Sequence, residues 1–267
     1  MDFYSWNIVL TTSFGILATL IVIGNTLTIW IFFKQRRRKR AYYLLISLAV
    51  ADLLVGVITV PLYITLMVTN HWLVIYTGTD VLTGIASIYT IAAISLERMY
   101  AIGWPLRHRT ASFRFHVCAI TIPWIAAGIL TFLVVARFFF ITEQQIYRYL
   151  LTFYLGTPLL VICVANFVIW RKQKSPFENN NHINIEVKLT KTLLLITGAS
   201  LFTWLPFQIV NFLFELDVHI VISPNVWFMT RFIIKFLQFS NSLVNAIIYA
   251  FRIPEFKNAL LKTFRCC

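Results

Sequence analysis

The chain has few charged residues, and acidic residues are the scarcest. Only 12% of its 267 residues are charged, and just 10 residues are Asp or Glu, whereas soluble domains average about 25% charged residues. Hydrophobic residues make up 59% of the sequence, and its mean hydropathy is +0.78. The net charge of +13 alone suggests nucleic-acid binding, but the long apolar runs argue against it. We therefore expect a membrane protein with no nucleic-acid partner.

Cysteines, repeats and metal-ligand motifs are also few. Cys118 and Cys163 lie inside apolar runs and the other two cysteines end the chain, so no extracellular disulfide framework is expected. No internal repeat is visible, which argues against a transporter. The histidines are scattered over loops and segment ends without ligand spacing: His71, His108, His116, His182 and His219. An enzyme would need a nucleophile–base or metal constellation, so we do not expect an enzyme.

Seven long apolar segments account for most of the sequence. They cover about residues 8–33, 41–68, 73–104, 113–136, 147–171, 187–215 and 225–251. Each is long enough to cross a bilayer, which takes about 20 residues, and a single segment satisfies its backbone in lipid only as a helix. The sequence predicts an all-α membrane protein with one seven-transmembrane domain over residues 1–267. The first segment is expected to be retained rather than cleaved as a signal peptide.

The basic residues indicate how the segments are oriented. Nineteen of the 23 Lys and Arg residues lie in or beside the first, third and fifth connections and the tail. Because cytoplasmic loops are enriched in Lys and Arg, we expect an extracellular N-terminus and a cytoplasmic C-terminus.

The third segment carries a charge near each end. Asp80 and Arg98 are 18 residues apart, and no charge lies between Val81 and Leu96. In a helix this separation is about five turns, or about 27 Å, which places both side chains on one face at opposite ends of the bilayer core. Ionisable groups in membranes usually face the bundle interior. The alternative is that the two charges only reach the lipid interfaces.

A set of residues in chain order resembles the motifs of the class A, or rhodopsin-like, G protein-coupled receptors. The matching residues are Gly24–Asn25, Leu48–Asp52, Trp72, Glu97–Arg98–Met99, Pro105–Leu106, Trp124, Pro158, Trp204–Leu205–Pro206 and Asn245–Tyr249. The resemblance implies a seven-helix bundle with a short helix 8 at about 254–265, in the plasma membrane. It also implies signalling through a heterotrimeric G protein, with arrestin and a receptor kinase as further partners.

Four positions depart from the family pattern. Leu73 stands where a disulfide usually tethers the third helix, and Ala246 stands in place of a proline. Ser200 and Asn166 replace a common phenylalanine and a common tyrosine. The last three positions belong to the switching machinery, so the strength of coupling is left open.

By resemblance, Asp80 occupies the position at which biogenic-amine receptors pair with a ligand ammonium. The ligand-binding set implied is Asp80, Gly84, Tyr154, Trp204, Phe207, Gln208 and Phe239. A carboxylate among aromatic rings suits a small cation, so an amine ligand is expected. Two alternatives stay open: Lys235 or Arg231 neutralises Asp80 internally, or the ligand is a peptide or a lipid. A retinal pigment would need a lysine at Phe239.

The resemblance also assigns a switch and an ion site. The switch residues are Glu97, Arg98, Glu186, Trp204, Pro206, Asn245 and Tyr249, with both glutamates holding Arg98 at rest. The second set would bind an allosteric sodium ion: Asp52, Ser87, Asn241, Ser242 and Asn245. The alternative is a protonated Asp52 in a hydrogen-bond network without an ion. No cofactor is required.

The tail after residue 252 has an amphipathic pattern. Phe256, Leu260, Leu261 and Phe264 recur at helical spacing, with lysines off that stripe, which favours a helix lying on the anionic inner leaflet. Cys266 and Cys267 follow it as palmitoylation candidates. The alternative is two free thiols.

Overall fold

The computed structural model describes residues 3–35, 41–69, 71–110, 112–140, 144–173, 181–215, 224–253 and 256–258. All regular structure in these ranges is helical. The helices are α1 Phe3–Gln35, α2 Ala41–Leu54, α3 Val60–Thr69, α4 Leu73–Gly103, α5 Pro105–Arg109, α6 Phe113–Phe139, α7 Gln144–Gln173, α8 Asn181–Glu215 and α9 Pro224–Arg252. A π-helical turn, Val55–Thr59, joins α2 to α3.

These helices form the predicted seven-helix membrane architecture. Six stretches are long and apolar enough to cross a membrane: Ile8–Lys34, Tyr42–Thr69, Leu73–Gly103, Phe113–Phe139, Thr152–Arg171 and Val226–Arg252. The remaining long helix, α8, contains a shorter apolar stretch, Leu194–Val210. Several helices extend past the predicted apolar limits, because polar residues beyond the bilayer core remain helical. For example, α8 begins at Asn181, six residues before the predicted start.

The second span is not a regular helix. Its π-helical turn ends immediately before Val60–Pro61, and a proline cannot donate the backbone hydrogen bond of a regular helix. Gly56 in this turn lies against α1: a Cβ there would be 2.9 Å from Ile21 Cγ2 and 3.2 Å from the carbonyl oxygen of Ala18. Absence of a side chain at Gly56 therefore permits the close approach of the two spans.

Helix α4 lies at the centre of the bundle. It contacts α2, α6, α7 and α8, and its residues Ile85, Ile88 and Ile91 are almost completely buried. The Asp80 and Arg98 side chains are only 13% and 4% exposed. Both charges therefore face the protein interior rather than merely reaching the lipid interfaces.

The predicted helix 8 is described only in part. Residues 256–258 are helical, and the buried ring of Phe256 lies 5.5 Å from Phe32 and 6.4 Å from Tyr249 between centroids. The rest of that segment, with Cys266 and Cys267, lies outside the described residues.

Candidate functional site

An ion pair joins the central helix α4 to α9. The Lys235 Nζ atom lies 2.6 Å from Asp80 Oδ2 and 3.0 Å from Gln238 Oε1. Gln238 Nε2 in turn donates to Asp80 Oδ1 at 3.4 Å. The Lys235 and Asp80 side chains are 16% and 13% exposed, so the pair is largely withdrawn from solvent. Of the two internal partners considered for Asp80, Lys235 is the one in contact.

Aromatic rings surround the Lys235 ammonium. Its nitrogen lies 4.9 Å from the centroid of Phe207 and 5.7 Å from those of Tyr76 and Phe239, within the distance of about 6 Å that cation–π attraction requires. Arg231, one turn away, is exposed and lies 5.9 Å from the ring of Trp227 instead. The aromatic rings that were expected to surround a ligand cation therefore surround the Lys235 ammonium.

A small cavity extends inward from this pair. It is lined by Val55, Asp80, Thr83, Gly84, Ser87, Trp204, Gln238, Phe239, Asn241 and Ser242. A Cβ at Gly84 would lie 3.0 Å from Trp204 Cη2, so the missing side chain lets the indole pack against α4.

The structure divides the predicted ligand-binding residues into two groups. Asp80, Gly84, Trp204 and Phe239 line the cavity, and Phe207 lies beside Lys235. Tyr154 and Gln208 are not among the lining residues. Gln208 Nε2 instead donates to the Thr152 carbonyl of α7 at 3.4 Å.

The five residues predicted to form an ion site come together near the inner end of the cavity. Asp52 is fully buried. Its Oδ1 accepts hydrogen bonds from Ser87 Oγ and Ser242 Oγ, both at 2.9 Å, and its Oδ2 accepts one from Asn245 Nδ2 at 2.8 Å. Asn241 Oδ1 accepts a hydrogen bond from Thr203 at 3.2 Å.

These residues suit a hard cation. Carboxylate, hydroxyl and amide oxygens are the ligands that such ions prefer. Asn245 Oδ1 is buried and, within the described part of the chain, has no hydrogen-bond partner. Ser87, Asn241 and Ser242 also line the cavity, which connects the Asp52 network with Asp80.

At the other end of α4, Glu97 holds Arg98. Arg98 Nη2 donates to Glu97 Oε1 at 2.6 Å, and Arg98 Nε donates to Oε2. Both side chains are almost fully buried, and two parallel bonds of this kind are strong and directional. His108 Nε2 lies 2.8 Å from the same Oε1. Glu186, the second predicted partner, lies in α8, but its side chain is outside the described residues.

The other switch residues lie between these two ends. Pro206 lies inside α8, close in sequence to Trp204, whose ring meets Phe207 edge-on at 6.0 Å. Tyr249 is fully buried, with its ring 5.4 Å from that of Phe32. Asn245 is already bound to Asp52, so this part of α9 is tied to α2.

The positions that depart from the family pattern make contacts of their own. Asn166 Nδ2 donates to Thr197 Oγ1 at 2.7 Å and links α7 to α8. Ser200 donates within its own helix, to the Ile196 carbonyl at 2.9 Å. The Ala246 Cβ lies 3.0 Å from the point where a Cβ on Gly24 would stand, so the small residue lets α9 approach α1.

Sequence reasoning missed three residues of these sites. Gln238 bridges both members of the ion pair, and its spacing of three residues from Lys235 on one helix face was the available signal. His108 and His116 approach Glu97, with one ligand atom of each residue within 4.8 Å of the others. This corrects the expectation that the histidines are merely scattered, because α5 places His108 beside Glu97.

Comparison with known proteins agrees with the helical membrane fold. The model of the "7 transmembrane receptor (rhodopsin family)" matches residues 24–249. The chain belongs to the rhodopsin family. Members of this family are receptors rather than enzymes, and the chain is therefore a multi-pass membrane receptor.

Individual relatives in the rhodopsin family are distant. The histamine H2 receptor of Cavia porcellus is 26% identical over 301 residues, which cover 100% of this chain and 82% of the relative. The adenosine receptor A3 of Ovis aries is 26% identical over 299 residues, covering 98% and 92%. The histamine H2 receptor of Rattus norvegicus is 28% identical over 287 residues, covering 94% and 78%.

Proposed function

We propose that this rhodopsin-family protein is a plasma-membrane receptor for a small extracellular amine and that it activates a heterotrimeric G protein. The observation that carries the ligand class is the largely buried Asp80 carboxylate, already bound to an ammonium among three aromatic rings. The proposed orientation, with the N-terminus outside, rests on the distribution of Lys and Arg. Arrestin, a receptor kinase and membrane lipids are proposed as further partners on the family resemblance.

An amine ligand has to exchange with Lys235. Both are ammonium groups, so the attraction to Asp80 and the aromatic rings is similar before and after the exchange. Lys235 has a flexible four-carbon stem and is 16% exposed, so it can turn toward solvent when the ligand enters. The resting receptor thus contains an internal competitor that lowers its affinity for amines.

A second candidate ligand class follows from the ion pair itself. If Lys235 stays on Asp80, the cavity offers hydrogen bonds from Gln238 and from the intact pair, which suit a neutral small ligand such as a nucleoside. One relative is named an adenosine receptor, which supports keeping this candidate.

The sign of the Lys235→Ala effect distinguishes the two candidates. A panel of biogenic amines and nucleosides is tested for G protein activation in transfected cells. For an amine agonist, Lys235→Ala is expected to lower the agonist concentration that gives a half-maximal response by about tenfold or more. The reason is that Lys235 no longer competes with the agonist for Asp80. Removing one partner of a buried charged pair changes binding by about 2–5 kcal/mol, so Asp80→Ala should weaken the same amine by about thirtyfold or more.

The matched control is Arg231→Ala, which removes a cation from the same helix away from Asp80 and should change potency little. For a neutral ligand, Lys235→Ala should instead weaken the response. An amine agonist whose potency is unchanged by Asp80→Ala would overturn the amine proposal.

A further inference from the structure

We propose that Glu97, His108 and His116 form a Zn²⁺-binding site at the end of the bundle that contains Arg98. One ligand atom from each residue lies within 4.8 Å of the others. A carboxylate and two imidazoles are ligands that zinc accepts, and three protein ligands with a water molecule in the fourth position complete a tetrahedral site. This site lies about five helical turns from Asp80 and does not depend on the identity of the extracellular ligand.

His116 is the observation that points to a bound ion. The residue is only 3% exposed, and its Nε2 atom is buried with no hydrogen-bond partner in the part of the chain that the structure describes. Burying a polar nitrogen without a partner is unfavourable. Its other nitrogen, Nδ1, lies 3.5 Å from the carbonyl oxygen of Ser112. A proton on Nδ1 would leave the Nε2 lone pair available to a metal, as is usual for metal-bound histidines.

The three ligands are carried by three different helices. Glu97 lies on α4, His108 on the short helix α5 and His116 in the first turns of α6. The Ser112 side chain accepts a hydrogen bond from the Arg114 amide at 3.3 Å and caps the start of α6. The rings of Tyr100 and Phe115 flank the histidines, at 5.9 Å from His108 and 5.5 Å from His116. The site is therefore held by ordered elements.

Only a small rearrangement is needed to complete the site. Zinc bonds of about 2.0–2.2 Å in a tetrahedron place ligand atoms about 3.3 Å apart. His108 Nε2 already lies 2.8 Å from Glu97 Oε1. The His108 side chain is 23% exposed, whereas His116 is buried. His108 can therefore rotate more easily to bring the three ligand atoms, now within 4.8 Å of one another, to the spacing that zinc requires.

Arg98 opposes the ion. Its guanidinium is positively charged, and its Nη2 atom donates to the same Glu97 Oε1 that the metal would use. A bound Zn²⁺ must therefore displace that bond, while Arg98 Nε can keep its bond to Oε2. This competition predicts weaker binding than in a structural zinc site whose ligands have no other cation beside them.

Direct binding to the full-length receptor tests the site. The protein is purified in detergent through a tag without histidines and titrated calorimetrically with Zn²⁺. We expect one ion per chain. Loss of a residue that merely supports a metal ligand costs about 10–100-fold in affinity, so His108→Ala and His116→Ala should each weaken binding by more than tenfold.

Two further variants keep the test decisive. His71→Ala removes an exposed histidine near the opposite end of α4 and should leave the affinity unchanged. His116→Cys supplies a thiolate in the same place and should retain binding even if His116→Ala fails to fold. Unchanged Zn²⁺ affinity in the His108→Ala protein would overturn the site, as would loss of affinity in His71→Ala or the absence of binding to the folded parent protein.

Discussion

Three carboxylates inside the bundle have partners of three different kinds. Asp80 contacts the ammonium of Lys235, and Glu97 contacts the guanidinium of Arg98. Asp52 instead accepts hydrogen bonds only from neutral groups in the described part of the chain. A buried charge is costly without a compensating charge, so Asp52 is the residue for which a cation or a proton is still required.

At the scale of single residues, we predict that sodium stabilises the folded protein by binding at Asp52. In NaCl, compared with KCl at equal concentration, the purified receptor should unfold at a higher temperature. Each 1 kcal/mol contributed by ion binding should raise the midpoint by about 2–4 °C for a protein of this size. Asp52→Asn should abolish the difference, because the amide cannot neutralise the ion.

A buried hydroxyl on α4, about one turn from Ser87, provides the control. Thr90 donates to the Ala86 carbonyl at 2.6 Å and takes no part in the Asp52 network, so Thr90→Ala should keep the sodium effect. A sodium effect that survives in Asp52→Asn would contradict the assignment. A parent protein indifferent to sodium would favour the protonated Asp52 network.

At the scale of elements, the second span departs most from a regular helix. The sequence predicts one continuous helix there, whereas the structure interrupts it with a π-helical turn at Val55–Thr59. Such turns insert an extra residue and are frequently found at functional sites. Here the turn places Val55 at the cavity and Gly56 against α1. Hydropathy cannot register this feature, because every residue in the turn is compatible with a membrane helix.

Gly56 should therefore be intolerant of a side chain. A Cβ there would meet Ile21 at 2.9 Å, Val22 at 3.0 Å and the Ala18 carbonyl at 3.2 Å. Overpacking of this kind typically costs about 1–3 kcal/mol, so Gly56→Ala should lower the thermal unfolding midpoint of the purified receptor.

Gly128 is the matched control, since it lies inside α6 and a Cβ there would contact nothing within 4 Å. Because alanine is favoured over glycine in helices by up to about 1 kcal/mol, Gly128→Ala should be neutral or stabilising. Equal behaviour of the two variants would mean that the close approach of α1 at Gly56 is not important for stability.

At the scale of the whole molecule, one helix carries both ends of the proposed signalling path. Helix α4 presents Asp80 to the cavity and Arg98 to the opposite end of the bundle, and it packs against α2, α6, α7 and α8. A ligand that alters the Asp80–Lys235 pair would therefore act on the helix that most of the bundle surrounds. Ligand-driven signalling requires that two arrangements of these helices differ in ligand affinity.

We expect Glu97→Gln to raise ligand-independent signalling. The substitution keeps the shape but removes the charge that holds Arg98, and loss of one partner of such a pair costs about 2–5 kcal/mol. Since 1.4 kcal/mol corresponds to a factor of ten, nucleotide exchange by purified G protein should rise by about tenfold or more without ligand.

The double variant with Arg98→Ala should show no such rise. Unchanged exchange in Glu97→Gln would rule out this pair as the resting lock, and the predicted role of Glu186 would then have to stand alone.

Most of the candidate site was predictable as a set of residues, but not as a set of contacts. Asp52 and its four oxygen-bearing neighbours were predicted together and lie together, as do Glu97 and Arg98. Tyr154 and Gln208 were placed by resemblance at the ligand, but neither lines the cavity. The rotation of a side chain depends on its immediate neighbours, such as the Thr152 carbonyl that binds Gln208, and a motif does not record those neighbours.

The sequence alone determined the class of protein, the number of spans and the central position of Asp80 and Arg98. It could do so because each membrane helix satisfies its own backbone and shows its length in local hydropathy. Only the tertiary structure decided that Lys235 pairs with Asp80, that His108 and His116 meet at Glu97, and that a π-helical turn interrupts the second span. Those contacts depend on the rotation and depth of one helix against another, and the side chains that set this packing are apolar residues that hydropathy treats alike.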